Sequence, residues 1–292
     1  MRIGVVVLPQ LRWAEQAARW KALEEMGFDH AWTYDHLAWR DLADEPWFGT
    51  VPTLVAAATV TSRIRLGTWV ASPNYRHPVT FAKELMTLDD VSGGRLELGV
   101  GAGGTGWDAS VLGEPELTSR ERVNRLAEFV GLLDQLLTQP ETSWQGHWYQ
   151  AVRARMHPGC VQSPRVPFVV AANGPRSMAV AAQHGQAWAT SGPAETSREL
   201  WWQGVAGFCT RFDTVLERSG REVSGLRRYL AVDVPDLAVS SLQHFQDVVG
   251  RAAELGFTDV VTHWPRPSGP YAGDERVLEQ VAGDLDRLRQ TP

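Results

Sequence analysis

Cysteine is almost missing: the 292 residues contain two, Cys160 and Cys209. A disulfide scaffold and a cysteine-based zinc module are both excluded. No pair of histidines has metal-ligand spacing, so no metal site is expected. There is no basic excess, since 28 Lys and Arg face 34 Asp and Glu for a net charge of -6. A phosphate-backbone binder wants a basic face, so a nucleic-acid partner is not expected. Long apolar runs are lacking too. Threonine apart, the longest is 54–60, far short of a membrane span. Met1-Arg2-Ile3 runs into an apolar strand with no secretory leader, which leads us to expect a soluble cytoplasmic protein. Two enzyme signatures are missing as well. No Gly-x-Ser-x-Gly elbow occurs, and Leu8-Pro9-Gln10-Leu11 after the first strand carries no dinucleotide-binding glycines.

What is abundant is tryptophan, with 13 residues. So many large rings cannot all be packed centrally, and some are expected to line a pocket or an interface. Strand-like and helix-like segments alternate throughout. The run 3–8 has the unbroken apolar pattern of a parallel strand buried on both faces. Ala14, Ala18, Ala22 and Met26 then form a helical stripe that Gly27 ends. Further strands are predicted at 30–34, 65–71, 95–100, 167–171, 186–190, 229–234 and 259–263, each followed by a helical pattern. Glu25-Met26-Gly27-Phe28-Asp29 is echoed by Glu254-Leu255-Gly256-Phe257-Thr258-Asp259. Both are a helix end, a glycine cap and a strand start. The expected fold is α/β, a (β/α)8 TIM barrel forming one domain over 1–292. A doubly wound open sheet shares the alternation but wants the early glycine turn. Trp144-Gln145-Gly146-His147-Trp148-Tyr149 reads as a small insertion hairpin that flanks or covers the barrel mouth, or merely decorates the surface.

In such a barrel, chemistry gathers at the C-terminal strand ends. Strand two ends in Asp35-His36, a proton-exchanging ring with a carboxylate that could set its tautomer. Strand three ends in Asn74-Tyr75-Arg76-His77-Pro78, where Arg76 precedes a helix N-terminus that favours anions. Capping and surface charge would account for part of that cluster. Strand four runs into Gly101-Ala102-Gly103-Gly104-Thr105-Gly106, in which four of six residues lack a β-carbon. Such a stretch lets backbone approach a ligand closely. Asn173-Gly174-Pro175-Arg176-Ser177 leads into a helix and suits a phosphate or carboxylate. His263 and Trp264 end the last strand and, with Trp107, are candidates for the substrate pocket. The constellation suits an anionic cofactor that brings its own chemistry.

Arg65-Leu66-Gly67-Thr68, Tyr75-Arg76-His77-Pro78, Leu88-Asp89-Asp90-Val91-Ser92-Gly93-Gly94-Arg95 and Leu98-Gly99-Val100-Gly101, at this spacing, resemble the luciferase-like superfamily of flavin and deazaflavin oxidoreductases. Asp35-His36 is similar to the pair in the branches that use coenzyme F420. The resemblance implies an F420-dependent hydride transfer to or from a small organic substrate, with His36 beside the ring as proton donor or charge stabiliser. It implies cofactor contacts from Trp69 and Val70, where relatives often carry a non-proline cis peptide. Gly101, Ala102 and Gly103 would pack on the cofactor, and Trp39, matching an aromatic that some relatives place in the active site, would line the substrate pocket. Asn173, Gly174, Pro175, Arg176, Ser177 and Arg76 would hold its phosphate side. A homodimer accords with the family habit. Gly104 stands where sugar-phosphate dehydrogenases of the family carry Glu, and Gly185-Gln186-Ala187-Trp188 replaces the usual Gly-Asp-Gly-Trp. The chain is shorter than many relatives, which implies a reduced lid. A reduced-FMN monooxygenase and a non-catalytic flavin-binding barrel are the alternatives on the same scaffold.

Overall fold

The computed structural model describes residues 1–104, 107–195, 197–222 and 225–291, without the Trp107 side chain. Its elements are β1 (Arg2–Val6), α1 (Trp13–Glu25), β2 (His30–Thr33), α2 (Thr50–Val60), β3 (Arg65–Thr68), α3 (Pro78–Val91), β4 (Leu96–Gly101), α4 (Trp107–Ser110) and α5 (Ser119–Thr138). They continue as β5 (Glu141–Gln145), β6 (Gln150–Arg155), β7 (Phe168–Ala171), α6 (Pro175–His184), β8 (Ala187–Thr190), α7 (Arg198–Ser219), β9 (Arg227–Ala231), α8 (Leu242–Glu254), β10 (Asp259–His263), α9 (Glu275–Gly283) and α10 (Leu285–Arg289). Eight strands close in the order β1-β10-β9-β8-β7-β4-β3-β2, all neighbours parallel. This is the expected (β/α)8 barrel. Gly27 and Gly256 both have positive φ, +87° and +79°, so the echoed motif is one helix-ending device used twice.

Several expected bounds differ, and the strands expected over 3–8 and 229–234 are Arg2–Val6 and Arg227–Ala231. The strand expected over 65–71 ends at Thr68: Trp69 N still donates to Thr33 O at 2.8 Å, the Trp69–Val70 peptide is cis, and Ala71 forms an isolated bridge to Val100. The helical pattern after the strand expected over 186–190 runs from Arg198 to Ser219. The last helical stripe is two helices, with Asp284 between them outside helical geometry.

The large apolar cluster lies between strands and helices, while a second fills the barrel around Val6, Trp32, Val169, Ala187, Ala189 and Tyr229. The two alanines of β8 make room for the rings opposite. Six of the thirteen tryptophans, among them Trp20, Trp188 and Trp201, are buried. Among the described residues no helix is long and apolar enough to cross a membrane.

The N-terminal end of the barrel is plugged by charge. Glu97 accepts from Arg65 Nε at 2.5 Å, Arg227 Nη2 at 2.9 Å and Tyr229 Oη at 2.7 Å. Arg2 bridges Tyr229 Oη at 2.8 Å and Asp259 at 2.6 Å. Trp32 Nε1 donates to His30 Nδ1 at 2.7 Å, so His30 carries its proton on Nε2 and donates to Asp259 at 3.1 Å. Burial and then the Glu97 charge push the Tyr229 phenol well above its ordinary range, which keeps it a donor.

Outside the barrel, β5 and β6 form the predicted antiparallel hairpin. It lies against α5, where Glu128 accepts the turn amides of His147, Trp148 and Tyr149 at 3.1, 3.0 and 2.8 Å. The Tyr149 ring meets His77 edge-on, with centroids 5.5 Å apart. The hairpin thus flanks the mouth rather than covering it.

Glu24 ties the end of α1 to the turn before β3. Its carboxylate accepts the amides of Ser62, Arg63 and Ile64 at 2.8, 2.6 and 2.9 Å. Slight burial opposes ionisation, but these bonds outweigh it and bring the carboxyl down to about 2. A carboxyl depressed in the folded state stabilises fully above its unfolded value of about 4.5 and loses that contribution as the pH falls toward 2. Acid unfolding of Glu24→Gln is therefore expected to converge on wild type only near and below pH 2, with the variant less stable at pH 6. Urea midpoints at the two pH values check this.

Candidate active site at the barrel mouth

Asp35, fully buried just past β2, receives Arg76 in a bidentate pair, Nε at 2.6 Å and Nη2 at 2.7 Å. The same guanidinium reaches Glu84 at 2.9 Å and lies over the Phe81 ring, 4.2 Å from its centroid. Burial works against the Arg76 charge, but Asp35 more than offsets it. His77 caps α3, its Nδ1 accepting from Val79 N at 3.3 Å. The Arg76-His77 segment is therefore a structural clamp, and Arg76 does not serve the phosphate side.

His36 takes its carboxylate from elsewhere. Its Nδ1 bonds Asp108, on α4, whose other oxygen accepts Leu37 N at 2.7 Å. Asp35 does not set the His36 tautomer; Asp108 does. With Nδ1 so engaged, Nε2 is the open nitrogen of a ring about a quarter exposed. A carboxylate thus stands at this rim after all, four residues beyond Gly104.

Beside it the backbone is stripped of side chains. A β-carbon at Gly101 would sit 2.9 Å from Val70 Cγ2, and one at Gly103, where φ is +72°, would sit 2.7 Å from Asn74 Nδ2. Gly101 is therefore glycine by necessity of packing, and Gly103 by packing and conformation together. Thr105 and Gly106 lie outside the described residues, as does the Trp107 side chain. Ala102 is partly buried. Arg125 of α5 donates to Asn74 Oδ1 at 2.5 Å, while its buried Nε has no partner among the described residues.

Across the mouth, Asn173 ties two strand ends together, accepting from Thr190 Oγ1 at 2.6 Å. Gly174 N donates to Ser177 Oγ at 3.3 Å, and Ser177 Oγ donates back to Gly174 O at 3.0 Å. Pro175 opens α6 and has no N–H, so the amides of Arg176 and Ser177 are the free donors of this helix end. The Arg176 side chain is exposed, and Arg211 stands alongside, donating to Asn173 O at 3.1 Å.

The fourth wall is aromatic. Trp39, Trp47 and Trp69 join Tyr34 and Tyr271 at the open end of the internal cluster. Tyr271 stacks on His263 at 3.5 Å and on Trp39 at 6.0 Å. Arg266 pairs with Glu45 at 2.5 Å, joining the loops after β10 and β2. Two short loops thus meet at the mouth through their rings. Trp264 turns the other way. Its Nε1 donates to Glu275 at 2.7 Å beneath Arg19, in the outer core, so it is not a pocket wall.

With this geometry in view, a family model described as luciferase-like monooxygenase matches residues 1–235. The chain belongs to the luciferase-like monooxygenase family. It is 34% identical over 194 residues to the F420-dependent hydroxymycolic acid dehydrogenase of Mycobacterium tuberculosis, covering 64% of this chain and 51% of that one. It is 34% identical over 155 residues to the F420-dependent glucose-6-phosphate dehydrogenase of Amycolatopsis mediterranei, covering 52% and 45%. These matches span about half the length of either relative. The coenzyme F420 dependent tetrahydromethanopterin reductase from Methanopyrus kandleri shares the fold, with a TM-score of 0.78 at 17% identity over 98% of both chains.

This luciferase-like barrel gathers His36, Trp39, Trp69, Val70, Gly101 and Gly103 on one side of its mouth and residues 173–177 on another. Sequence reasoning missed Asp108, Arg125, Asp233 and Tyr271. Asp233 carried the clearest overlooked signal, a carboxylate just beyond a barrel strand.

Proposed function

We propose that this chain is an F420-dependent oxidoreductase that moves a hydride between the deazaflavin and a small organic substrate. The observation that carries the reading is His36, held by Asp108, beside a strand end kept free of β-carbons at Gly101 and Gly103. The residues present fit a flat ring with an anionic tail. The glycines make the flat cradle, and Val70 backs it. The orphaned Arg125 Nε, the free amides of α6 and the exposed Arg176 are donors for the anion. When bound, the deazaflavin supplies the hydride acceptor or donor. The chain orients it, keeps water from its face with Trp39 and Trp69, and opposes the charge that develops on it with His36.

The test is a fluorescence titration of the purified protein with F420 and with FMN. Micromolar or tighter binding of F420 and weaker binding of FMN is the expected result. Preference for FMN, with oxygen uptake coupled to substrate oxidation, would overturn it. His36→Ala is expected to retain F420 affinity within about threefold and to lose roughly 10²–10³ in turnover. Single-turnover reduction of bound F420 reads both quantities.

A further inference from the structure

A second histidine–aspartate couple lies buried at the mouth, outside the roles given so far. Asp233 follows β9, and its Oδ2 accepts His263 Nδ1 at 2.7 Å and His263 N at 2.7 Å. Thr262 Oγ1 and Ala238 N also donate to this carboxylate, at 3.0 and 2.7 Å. The His263 and Asp233 side chains are 4% and 1% exposed. A ring donating through Nδ1 presents Nε2 as an acceptor, and Tyr34 Oη lies 2.8 Å from it. Tyr34 Oη is in turn 2.8 Å from Tyr271 Oη. The line Tyr271, Tyr34, His263, Asp233 is unbroken. Its inner members are sealed, and its outer end is a half-buried phenol on the aromatic wall.

Tyr271 is held there at some expense. Its φ of +63° is left-handed, a conformation that bulky residues avoid, and its ring is pinned between His263 and Trp39. Burial first, and then Asp233, push its phenol up to about 12, so it is protonated at neutral pH. Tyr34 is raised further by burial and by Tyr271. The charged groups facing the pair are Asp233, Arg40 and Arg266, and the His36 ring meets Tyr34 edge-on at 5.7 Å.

We infer that Tyr271 is a catalytic acid–base for an alcohol or carbonyl substrate, fed by a buried proton relay through Tyr34 to the His263–Asp233 couple. This rests on the F420 reading and divides the labour within it: His36–Asp108 serves the cofactor ring, Tyr271 the substrate oxygen. In the oxidative direction the carbinol C–H leaves as hydride to the deazaflavin, which is the oxidant. The alcohol O–H proton passes to Tyr271 Oη, the Tyr271 proton to Tyr34 Oη, and the Tyr34 proton to His263 Nε2. The products are a carbonyl, a deazaflavin carrying the hydride, and a His263 imidazolium beside the Asp233 carboxylate. Reduction of a carbonyl runs the same transfers backwards. Tyr34, His263 and Asp233 are positioning residues in this scheme.

The test uses Tyr34→Phe and Tyr271→Phe, which keep ring packing and remove single hydroxyls. In the unliganded wild-type protein, ¹⁵N NMR of labelled histidines is expected to show His263 protonated on Nδ1, with an Nε2 resonance that moves in Tyr34→Phe. With F420 and a panel of secondary and primary alcohols, Tyr271→Phe is expected to lose at least 100-fold in kcat and Tyr34→Phe at least 30-fold, with KM within threefold. The wild-type solvent deuterium effect is expected to arise from more than one proton and to fall to one in Tyr34→Phe. Turnover of both variants within threefold of wild type would overturn the relay, as would a His263 protonated on Nε2 alone. Turnover of reducible carbon–carbon or imine substrates but of no alcohol or carbonyl would overturn the substrate class. Failure to bind F420 at all overturns the cofactor reading instead, and the histidine spectra still decide the relay.

Discussion

Replacing Glu97 by alanine costs about 3–5 kcal/mol and lowers the melting temperature by roughly 10 °C. The carboxylate is 1% exposed and serves Arg65, Arg227 and Tyr229 at once. Its removal leaves two cations and a phenol at the barrel floor with no acceptor between them. The penalty is the desolvation of those partners rather than the net worth of the pairs. Glu97→Gln keeps an acceptor oxygen and loses the charge, so it falls between wild type and alanine. Calorimetry of the three proteins checks the order. A Glu97→Ala protein within 1 kcal/mol of wild type would mean that water reaches the floor.

Asp35→Ala is the second large effect, again about 3–5 kcal/mol, and it separates structure from chemistry. Asp35 is adjacent to His36 in sequence, yet it holds Arg76 and not the imidazole. Without it, Arg76 keeps only the exposed Glu84. Adding Arg76→Met removes the stranded charge and is expected to recover at least half of the loss, whereas Arg76→Lys in the wild-type background cannot reproduce the fork. Denaturant midpoints of the single and double variants decide this. If Asp35→Ala abolished turnover at unchanged stability, Asp35 would belong to the chemistry.

The alternation of strands and helices was legible because hydrophobic periodicity and glycine caps are local properties. Gly27 and Gly256 announce helix ends from either end of the chain. The glycines near Gly101 were legible for a similar reason, since a missing β-carbon has few other uses at that density. Partner choice was not legible. Asp35 or Asp108 could have met His36, and only the closure of β2, β3 and β4 side by side selects Asp108 and hands Asp35 to Arg76. Trp264 was misplaced because a strand end faces both inward and outward, and one residue of register decides which. Tyr271 sits in a loop without periodicity, and its importance comes from the ring it stacks on.

Barrel closure has a consequence for how the chain is made. β1, made before every other strand of this barrel, pairs with β2 on one side and β10 on the other, with Arg2 opposite Asp259. Until the ribosome has delivered residues through His263, β1 keeps an open edge, and Arg2 and His30 lack the Asp259 carboxylate to which they donate. A nascent chain of two hundred or so residues therefore carries two unpaired strand edges around an incomplete core. Stalled or truncated chains would present those edges to chaperones and proteases.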